Sequence, residues 1–453
     1  MIIEDFETWR PLIDSVDLRG KTRFSGHVEA AGGHGLRGAT LPEPPPLQPG
    51  KARQVEDYRE VWAPLEVIRD ALKADDVQGV EFDVDVADAP AATVRIVVLQ
   101  KPSYESDKLT VVEDSLPEPY RRRAVPPAPD HPRGWSDLDA LEAALREIWP
   151  NSTGMSDAEL DAYEKQVGRP LPPEARVLYS VIREHSVDYS TIPPADPIGF
   201  DIWPLDSAQR QARRTDYNDW WFLARTAADD ASAKPVQALS QPPEWFVIGG
   251  DVAIYAIDMA PGPTGKVGQV IVWNDEDRWD QPFGAQLVSD SLLDFFQGRN
   301  HTTWTGSTWT EDLPAYGEVT TANGRSISEV ASDELEILYV VRGSEPLSLA
   351  PIAGLPRLRT VEATAGSVTD VLALGTLSNL EYLEIGVGEW NVLLDAGQVP
   401  PSLKACGVDS GLHNRHTTHE VAAVLDRIRD VFDIPNAGQM LTVRGRLPTS
   451  SKV

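Results

Sequence analysis

Apolar residues recur every three or four positions in three consecutive segments near the middle of the chain. This spacing predicts three helices. Their inward-facing residues are Leu138, Leu141, Leu145 and Ile148 in the first, Leu160, Tyr163 and Val167 in the second, and Val177, Leu178, Val181 and Ile182 in the third. Ser156 and Glu159 have the spacing of a capping box at the start of the second helix, and Gly168 is placed to end it.

After these helices the pattern changes to strands. Pro170, Leu171 and Pro172 lead into the third helix, because proline is tolerated in the first turn. The predicted strands cover residues 202–205, 245–248, 252–257 and 268–273, and a closing helix covers 289–296. Helices, then a meander of strands, then a further helix predict the α+β fold class for this part of the chain.

A glycine pair separates two of these strands. Gly249, Gly250 and Asp251 stand between the apolar run that begins at Trp245 and the one at 252–257. A phosphate-binding loop would be followed by a helix and a well-placed lysine, whereas here another strand follows. Glycine adopts positive φ without steric cost, and Gly-Asp between strands is typical of a short hairpin. We interpret the pair as a turn.

Proline-rich stretches divide the chain into blocks. Residues 1–123 are predicted to be an α/β module, with a helix at 64–74 and a hairpin formed by 80–86 and 92–99. Its role is not indicated. A proline-rich linker at 124–133 precedes the block at 134–300, and a polar connector at 301–330 precedes the last block at 331–453.

The block at 134–300 resembles a known family. The resemblance rests on MSDAELDAYE at residues 155–164, VGRPLPPE at 167–174, the strands flanking the glycine pair, and GQVIVW at 268–273, which ends at Trp273. In this order, these motifs are similar to those of the SUKH superfamily, which includes fungal Smi/Knr regulators of cell-wall synthesis and many bacterial immunity proteins. The resemblance implies a helix-plus-sheet domain that binds a protein partner. The long polar segments at 189–201 and 215–241 depart from the family pattern.

The last block contains a repeat. The segments LEILYV, LRTVEA, LEYLEI and LKACGV begin at Leu335, Leu358, Leu380 and Leu403, at intervals of 23, 22 and 23 residues. This period is typical of leucine-rich repeats, with one strand in each repeat. Cys406 takes a core position, and its expected role is a small buried apolar residue.

Residues between the repeat leucines are expected to point outward from the strands. They include Glu336, Arg359 and Glu381. Such a strand-lined face commonly binds a partner. The alternative is a solvated face on a short capped stack.

Composition narrows the functional classes. The 453-residue chain has 41% hydrophobic residues, enough for cored domains, and a formal charge of −29. This charge disfavours binding to nucleic acid or anionic membranes and favours a basic protein partner. One cysteine, no transmembrane-length apolar run and an acidic N-terminus lead us to expect a cytoplasmic protein.

Three stretches contain residues of interest for chemistry or recognition. His413, His416 and His419 resemble a metal-ligand cluster, but Thr417 and Glu420 also form a capping-box pattern for a following helix. The acidic run after Trp273 comprises Asp275, Glu276, Asp277, Arg278 and Trp279. Arginine and tryptophan are frequent in interface hot spots. Trp220 and Trp221 are similar candidates, although a tryptophan pair is more often buried core.

From these observations we expect a non-catalytic binding protein without cofactor or metal. The SUKH resemblance implies an immunity protein that neutralises a cognate toxin, and the negative charge favours a basic toxin of the nuclease or deaminase class. One alternative is a regulatory scaffold similar to the fungal proteins. A less favoured one is a metal-dependent enzyme using His413, His416 and His419. The partner, its contact surface and the oligomeric state are not specified by the sequence.

Overall fold

The computed structural model describes residues 1–31, 33–42, 58–99, 107–113, 115–187, 198–211, 220–225, 234–237, 239, 242–250, 253–274, 285–301, 314–341, 343, 345–410, 416–435 and 439–447. Two units are distinguished by their internal contacts. The two-segment unit comprises residues 1–113 and 317–453, and the central unit comprises residues 114–316. Within the described residues, no helix combines the length and apolar character needed to cross a membrane.

The first segment of the two-segment unit forms an α/β layer. Its elements are α1 (Phe6–Ser15), β1 (Arg23–Glu29), β2 (His34–Arg37), α2 (Arg59–Ala74), β3 (Gly79–Asp85), β4 (Ala91–Leu99) and β5 (Lys108–Thr110). Alternate strand residues such as Phe24, Phe82 and Ile96 enter a core with Trp9 and Leu65 from the helices. The intervening strand residues face the opposite side of the sheet, since successive side chains alternate between faces.

The central unit confirms the α+β fold class. Its elements are α3 (Glu118–Arg121), α4 (Leu138–Ile148), α5 (Asp157–Val167), α6 (Pro173–Val181), β6 (Asp201–Ile202), α7 (Leu205–Gln211), α8 (Trp220–Leu223), β7 (Trp245–Gly250), β8 (Ala253–Asp258), β9 (Gln269–Asn274), β10 (Gln286–Ser289) and α9 (Leu292–Phe296). The strands form one antiparallel sheet in the order β10-β9-β8-β7-β6.

The helix boundaries follow from the predicted caps. The side chain of Ser156 accepts from the Glu159 backbone N–H at 3.4 Å, and Glu159 accepts from the Ser156 N–H at 2.8 Å. Gly168 ends α5 in the left-handed conformation with φ of 73°. Pro172 caps α6, which begins at Pro173. These local signals therefore place the start and end of α5 and the start of α6.

The strand predicted at 202–205 is shorter than expected. Only Asp201 and Ile202 belong to β6, and α7 begins at Leu205. The Trp203 N–H still donates to the Ile248 carbonyl at 3.1 Å. Pro204 has no N–H to continue the ladder, so the strand ends there and a helix follows.

The glycine pair has a different role from the predicted turn. β7 and β8 do form an antiparallel pair, but Gly249 and Gly250 belong to β7 and neither has positive φ. A Cβ at Gly249 would lie 1.9 Å from the Asp201 carbonyl oxygen, and one at Gly250 would lie 2.3 Å from the Ala253 oxygen. Glycine is needed for close strand approach. Asp251 lies outside the described residues.

The second segment of the two-segment unit contains a parallel sheet. Its elements are β11 (Tyr316–Val319), α10 (Ile327–Val330), β12 (Ile337–Val340), β13 (Leu347–Ser348), β14 (Thr360–Ala363), β15 (Val368–Thr369), β16 (Tyr382–Gly386), α11 (Val387–Ala396), β17 (Ala405–Asp409), α12 (Thr418–Val431) and β18 (Met440–Arg446), with 3₁₀ turns at Ala350–Ile352 and Val371–Thr376. β12, β14, β16 and β17 are parallel neighbours, which aligns Leu338, Val361, Leu383 and Cys406 as fully buried residues.

The two segments of this unit share both of its large sheets. β18 pairs with β4, which gives the first sheet the order β18-β4-β3-β1-β2. The second sheet, here called the repeat sheet, has the order β11-β12-β14-β16-β17-β5, and β5 pairs antiparallel with β17 at its edge. The structure therefore divides the chain differently from the boundaries drawn at 1–123 and 331–453. Strands from the first and last blocks complete each other's sheets, a pairing that local sequence patterns do not reveal.

We expect Gly249→Ala to destabilise the central unit by about 1–3 kcal/mol, because its methyl group would overlap the Asp201 carbonyl. Gly388→Ala is the control, since a Cβ there meets nothing within 4 Å and the residue lies in α11. Its stability is expected to be unchanged or slightly higher. Urea unfolding measures both variants, and equal stability of Gly249→Ala and the wild type would contradict the close-approach role.

Candidate protein-binding site

The antiparallel sheet of the central unit is apolar on both faces. Phe246 and Ile248 of β7 face α4, α5 and α6, whereas Trp245 and Val247 face the other side, here called the tryptophan face. β9 repeats the alternation, with Ile271 and Trp273 on the tryptophan face. Ala208 of α7, Val236 and Leu239 cover that face. Residues outside helices α4, α5 and α6 thus complete the core on this side of the sheet.

The tryptophan face holds a pair of aromatic rings whose indole N–H groups have no acceptor among the described residues. The rings of Trp245 and Trp273 are 5.2 Å apart between centroids and tilted by 40°. Their indole N–H groups, and that of Trp220, are buried without an acceptor among the residues that the structure describes. Indole N–H groups usually find a partner when buried.

Among the predicted contact residues of the central unit, the structure describes the side chain of Trp220. Trp220 begins α8 and is 4% exposed, which agrees with the alternative that this tryptophan is buried core and not with an exposed contact. Trp221 is in α8, but its side chain lies outside the description. Asp275, Glu276, Asp277, Arg278 and Trp279 also lie outside the described residues. They follow Trp273 and Asn274 at the end of β9.

The prediction that the residues between the repeat leucines point outward into solvent is wrong for Glu336 and Arg359. Glu336 is 2% exposed and Arg359 is 4% exposed. Arg359 Nε lies 3.3 Å from Glu336 Oε2, and Arg357 Nη2 lies 2.5 Å from Glu336 Oε1. Opposite charges in adjacent repeats neutralise each other, which makes their burial tolerable. Glu381 is half-buried.

The sequence does not indicate a charged contact between β5 and β16 of the repeat sheet. Lys108 Nζ on β5 lies 2.5 Å from Glu384 Oε1 on β16, and Tyr382 donates its hydroxyl to Glu384 Oε2 at 2.8 Å. β5 comes from the first segment of the chain, far from β16 in sequence. The contact could have been predicted only if β5 had been recognised as an edge strand of the repeat sheet.

The histidine stretch is partly structural. Thr417 and Glu420 form the predicted capping box at the start of α12, with bonds of 2.6 and 3.1 Å. A ring nitrogen of His419 lies 3.1 Å from the Ile96 carbonyl oxygen on β4, and His416 Nδ1 lies 3.8 Å from Glu420 Oε2. His413 lies outside the described residues. In the part described, the stretch serves helix capping and attachment to β4.

Cys406 and two carboxylates are buried groups with structural partners. Cys406 is fully buried as expected, and burial raises the pKa of its thiol to about 12. Glu174 accepts from the backbone N–H groups of Ser136 at 2.7 Å and Leu292 at 3.3 Å, which ties α6 to the starts of two other helices. Burial raises its pKa despite these bonds.

Asp258 at the end of β8 is the most perturbed of these acids. It accepts from the Ala260 N–H at 2.9 Å and from Gln269 Nε2 at 2.9 Å. Burial outweighs these hydrogen bonds and raises its pKa to about 7. Gln269 also donates to the Pro235 carbonyl at 2.7 Å, so the pair connects the sheet to the segment that covers the tryptophan face.

Comparison with known proteins supports the SUKH resemblance for this region. Residues 154–298 match the SMI1 / KNR4 family (SUKH-1). The match begins just before α5 and extends through α9, so it includes the five-stranded sheet and both of its faces. No curated protein matches the chain. An α+β domain of SUKH class is therefore supported for this third of the chain.

We expect Asp258→Asn to remove a pH dependence from the stability of the central unit. The folded chain holds the Asp258 proton more tightly than the unfolded chain, because the pKa is raised from 3.8 to about 7. The stabilisation that this pKa difference gives the folded state is therefore full below pH 3.8 and is lost as the pH rises toward 7. Between these pH values the free energy of unfolding falls by at most about 1.4 kcal/mol per pH unit. Urea unfolding at several pH values, followed by tryptophan fluorescence, measures this.

The fluorescence signal reports mainly on the central unit, since 10 of the 13 tryptophans lie in residues 114–316. Asp290→Asn is a control of opposite sign. Hydrogen bonds from Lys266 and His301 lower the pKa of Asp290, so its contribution is present above pH 3.8 and is lost as the pH falls. If Asp258→Asn retained the wild-type slope between pH 4 and 7, the role of Asp258 would be refuted.

Proposed function

We propose that this chain is a non-catalytic immunity protein that binds and neutralises a basic toxin domain of the nuclease or deaminase class. The match of residues 154–298 to the SMI1 / KNR4 family (SUKH-1) is the observation that carries this function. The match is consistent with either an immunity or a regulatory protein, and the charge of the chain favours the former. We also propose that it acts in the cytoplasm, since its single cysteine fits a reducing compartment.

The charge of the central unit supports a basic partner. Residues 114–316 contain 32 Asp and Glu against 17 Lys and Arg. Asp139 and Glu147 on α4 are exposed and make no ion pair with a described residue. On α5, Asp157, Asp161 and Glu164 share the single cation Arg176. A negative surface of this kind accelerates association with a cationic protein.

We propose a contact surface beside the tryptophan face, which is itself covered. The acidic run at 275–279 begins two positions after Trp273, whose side chain lies on that face. Acidic residues would steer the toxin, while Arg278 and Trp279 would provide the buried contacts typical of hot spots. We place the toxin on the acidic run at 275–279 and on the neighbouring rim of the tryptophan face.

We assign β12, β14, β16 and β17 with their connectors as a short leucine-rich-repeat stack. Their aligned residues are separated by 23, 22 and 23 positions, as in Ile337, Thr360, Tyr382 and Ala405. Stacks of this kind commonly bind partners, so a regulatory scaffold with several partners is the alternative, although Glu336 and Arg359 of this stack are buried. Neither function requires catalysis, a cofactor or a metal.

Co-expression with toxin domains encoded beside this gene tests the proposed function. We expect the chain to restore growth and the purified chain to inhibit the toxin at equimolar ratio. The association rate constant should fall several-fold with increasing salt, because the encounter is electrostatic. Absence of rescue together with stable binding to housekeeping proteins would favour the scaffold and contradict the immunity role.

A pair of charge-neutralising variants tests the contact surface. Asp275→Asn/Glu276→Gln/Asp277→Asn removes three charges from the loop, and Asp139→Asn/Glu142→Gln/Glu147→Gln removes three from α4. We expect the loop variant to slow association several-fold more than the α4 variant. Stopped-flow measurement of toxin binding gives both rates. Equal slowing would refute the loop as the contact while leaving toxin binding itself intact.

A further inference from the structure

The two-segment unit contains a polar cavity of about 240 Å³ beside the first sheet. Its lining residues are Lys21, Arg23, Phe24, Ser25, Arg37, Gly38, Asp83 and His416. A second cavity of about 170 Å³ shares Ser25, Arg37 and His416 with it, so the two are neighbours. Its other polar residues include His27, Glu81, Asp107, Ser410 and Thr418.

The polarity of these walls follows from strand alternation. Phe24 and Val28 of β1 enter the core with α1 and α2, so Arg23, Ser25 and His27 lie on the opposite face. Antiparallel pairing places Arg37 of β2 opposite Ser25. The sheet thus presents a row of polar side chains to the start of α12, where His416 and Thr418 lie.

The larger cavity has a surplus of positive charge. Its single carboxylate, Asp83, accepts from Arg95 Nη1 at 2.7 Å and from the Thr418 N–H at 3.1 Å. Arg23 lies only within 3.9 Å of Asp83 and 3.8 Å of Asp85. Arg37 is exposed and makes no ion pair with a described residue. In a chain with net charge −29, this concentration of cations requires a reason.

The second cavity has a different character. Glu81 and Asp107 would repel an anion, and burial lowers the pKa of His27, which leaves its ring neutral near pH 7. Neutral imidazole, carboxylates and the hydroxyls of Ser410 and Thr418 are instead suited to hydrogen-bond hydroxyl or amino groups. An anionic group in the larger cavity and a neutral polar group in the smaller one would match the two environments.

We propose that these joined cavities bind a small phosphate-bearing molecule, with its phosphate against Arg23, Arg37 and Lys21 and its neutral polar part beside His27. Arginine guanidinium groups match phosphate oxygens in planar paired contacts. This site is separate from the toxin contact and does not depend on it.

Isothermal titration of the full chain, in buffer free of phosphate and sulfate, tests the site. The probes are inorganic phosphate, adenosine monophosphate and adenosine. We expect both phosphate compounds to bind, adenosine monophosphate more tightly than inorganic phosphate, and adenosine to bind at least about tenfold more weakly. Absence of binding by both phosphate compounds would overturn the site.

Arg37→Gln is expected to weaken binding of adenosine monophosphate by about tenfold or more, because it removes a charged hydrogen-bond donor. Arg146→Gln is the matched control, since Arg146 is an exposed arginine on α4. Lys21→Gln, at an exposed position, gives a second test should Arg37→Gln unfold, and is expected to weaken binding several-fold. Equal loss in Arg146→Gln, or unchanged affinity in the cavity variants, would contradict the site.

Discussion

The central unit depends on one constraint, which is that both faces of its antiparallel sheet are apolar and must be removed from water. Helices α4, α5 and α6 cover one face. The other face carries Trp245, Val247, Ile271 and Trp273, which are buried beneath a separate cover from α7 and residues 236–239. Residues 236–239 belong to the long segment at 215–241 that departs from the family pattern, so this requirement gives a reason for that part of the segment. Trp273 of the same face stands two positions before the acidic run that begins at Asp275.

Local signals in the sequence were sufficient for much of this unit. The capping box at Ser156, the positive φ at Gly168 and the apolar spacing of α5 act within a few residues, so they are readable without the fold. The glycine pair was read as a turn because positive φ is the commonest reason for glycine. Its actual role depends on the Asp201 carbonyl, which only the arrangement of β6 beside β7 brings near.

The two-segment unit shows what local patterns leave out. The repeat spacing predicted four equivalent strands, but their outward charges were expected in solvent. Glu336 and Arg359 are instead paired and buried, since each supplies the charge that the other needs. The pairing of β18 with β4, and the polar cavities near β1 and α12, arise between residues more than three hundred positions apart. No periodicity in the sequence encodes such contacts.

The protein-binding role assigned to the SUKH-class region is tested most directly by hydrogen–deuterium exchange of the full chain, alone and saturated with the toxin domain. We expect slower exchange of the backbone amides in β7, β9 and the residues that follow Trp273, because a bound protein would exclude water from that rim. The amides of β12, β14 and β16 should be unchanged. Protection confined to those repeat strands, or its absence throughout residues 154–298, would contradict the assignment.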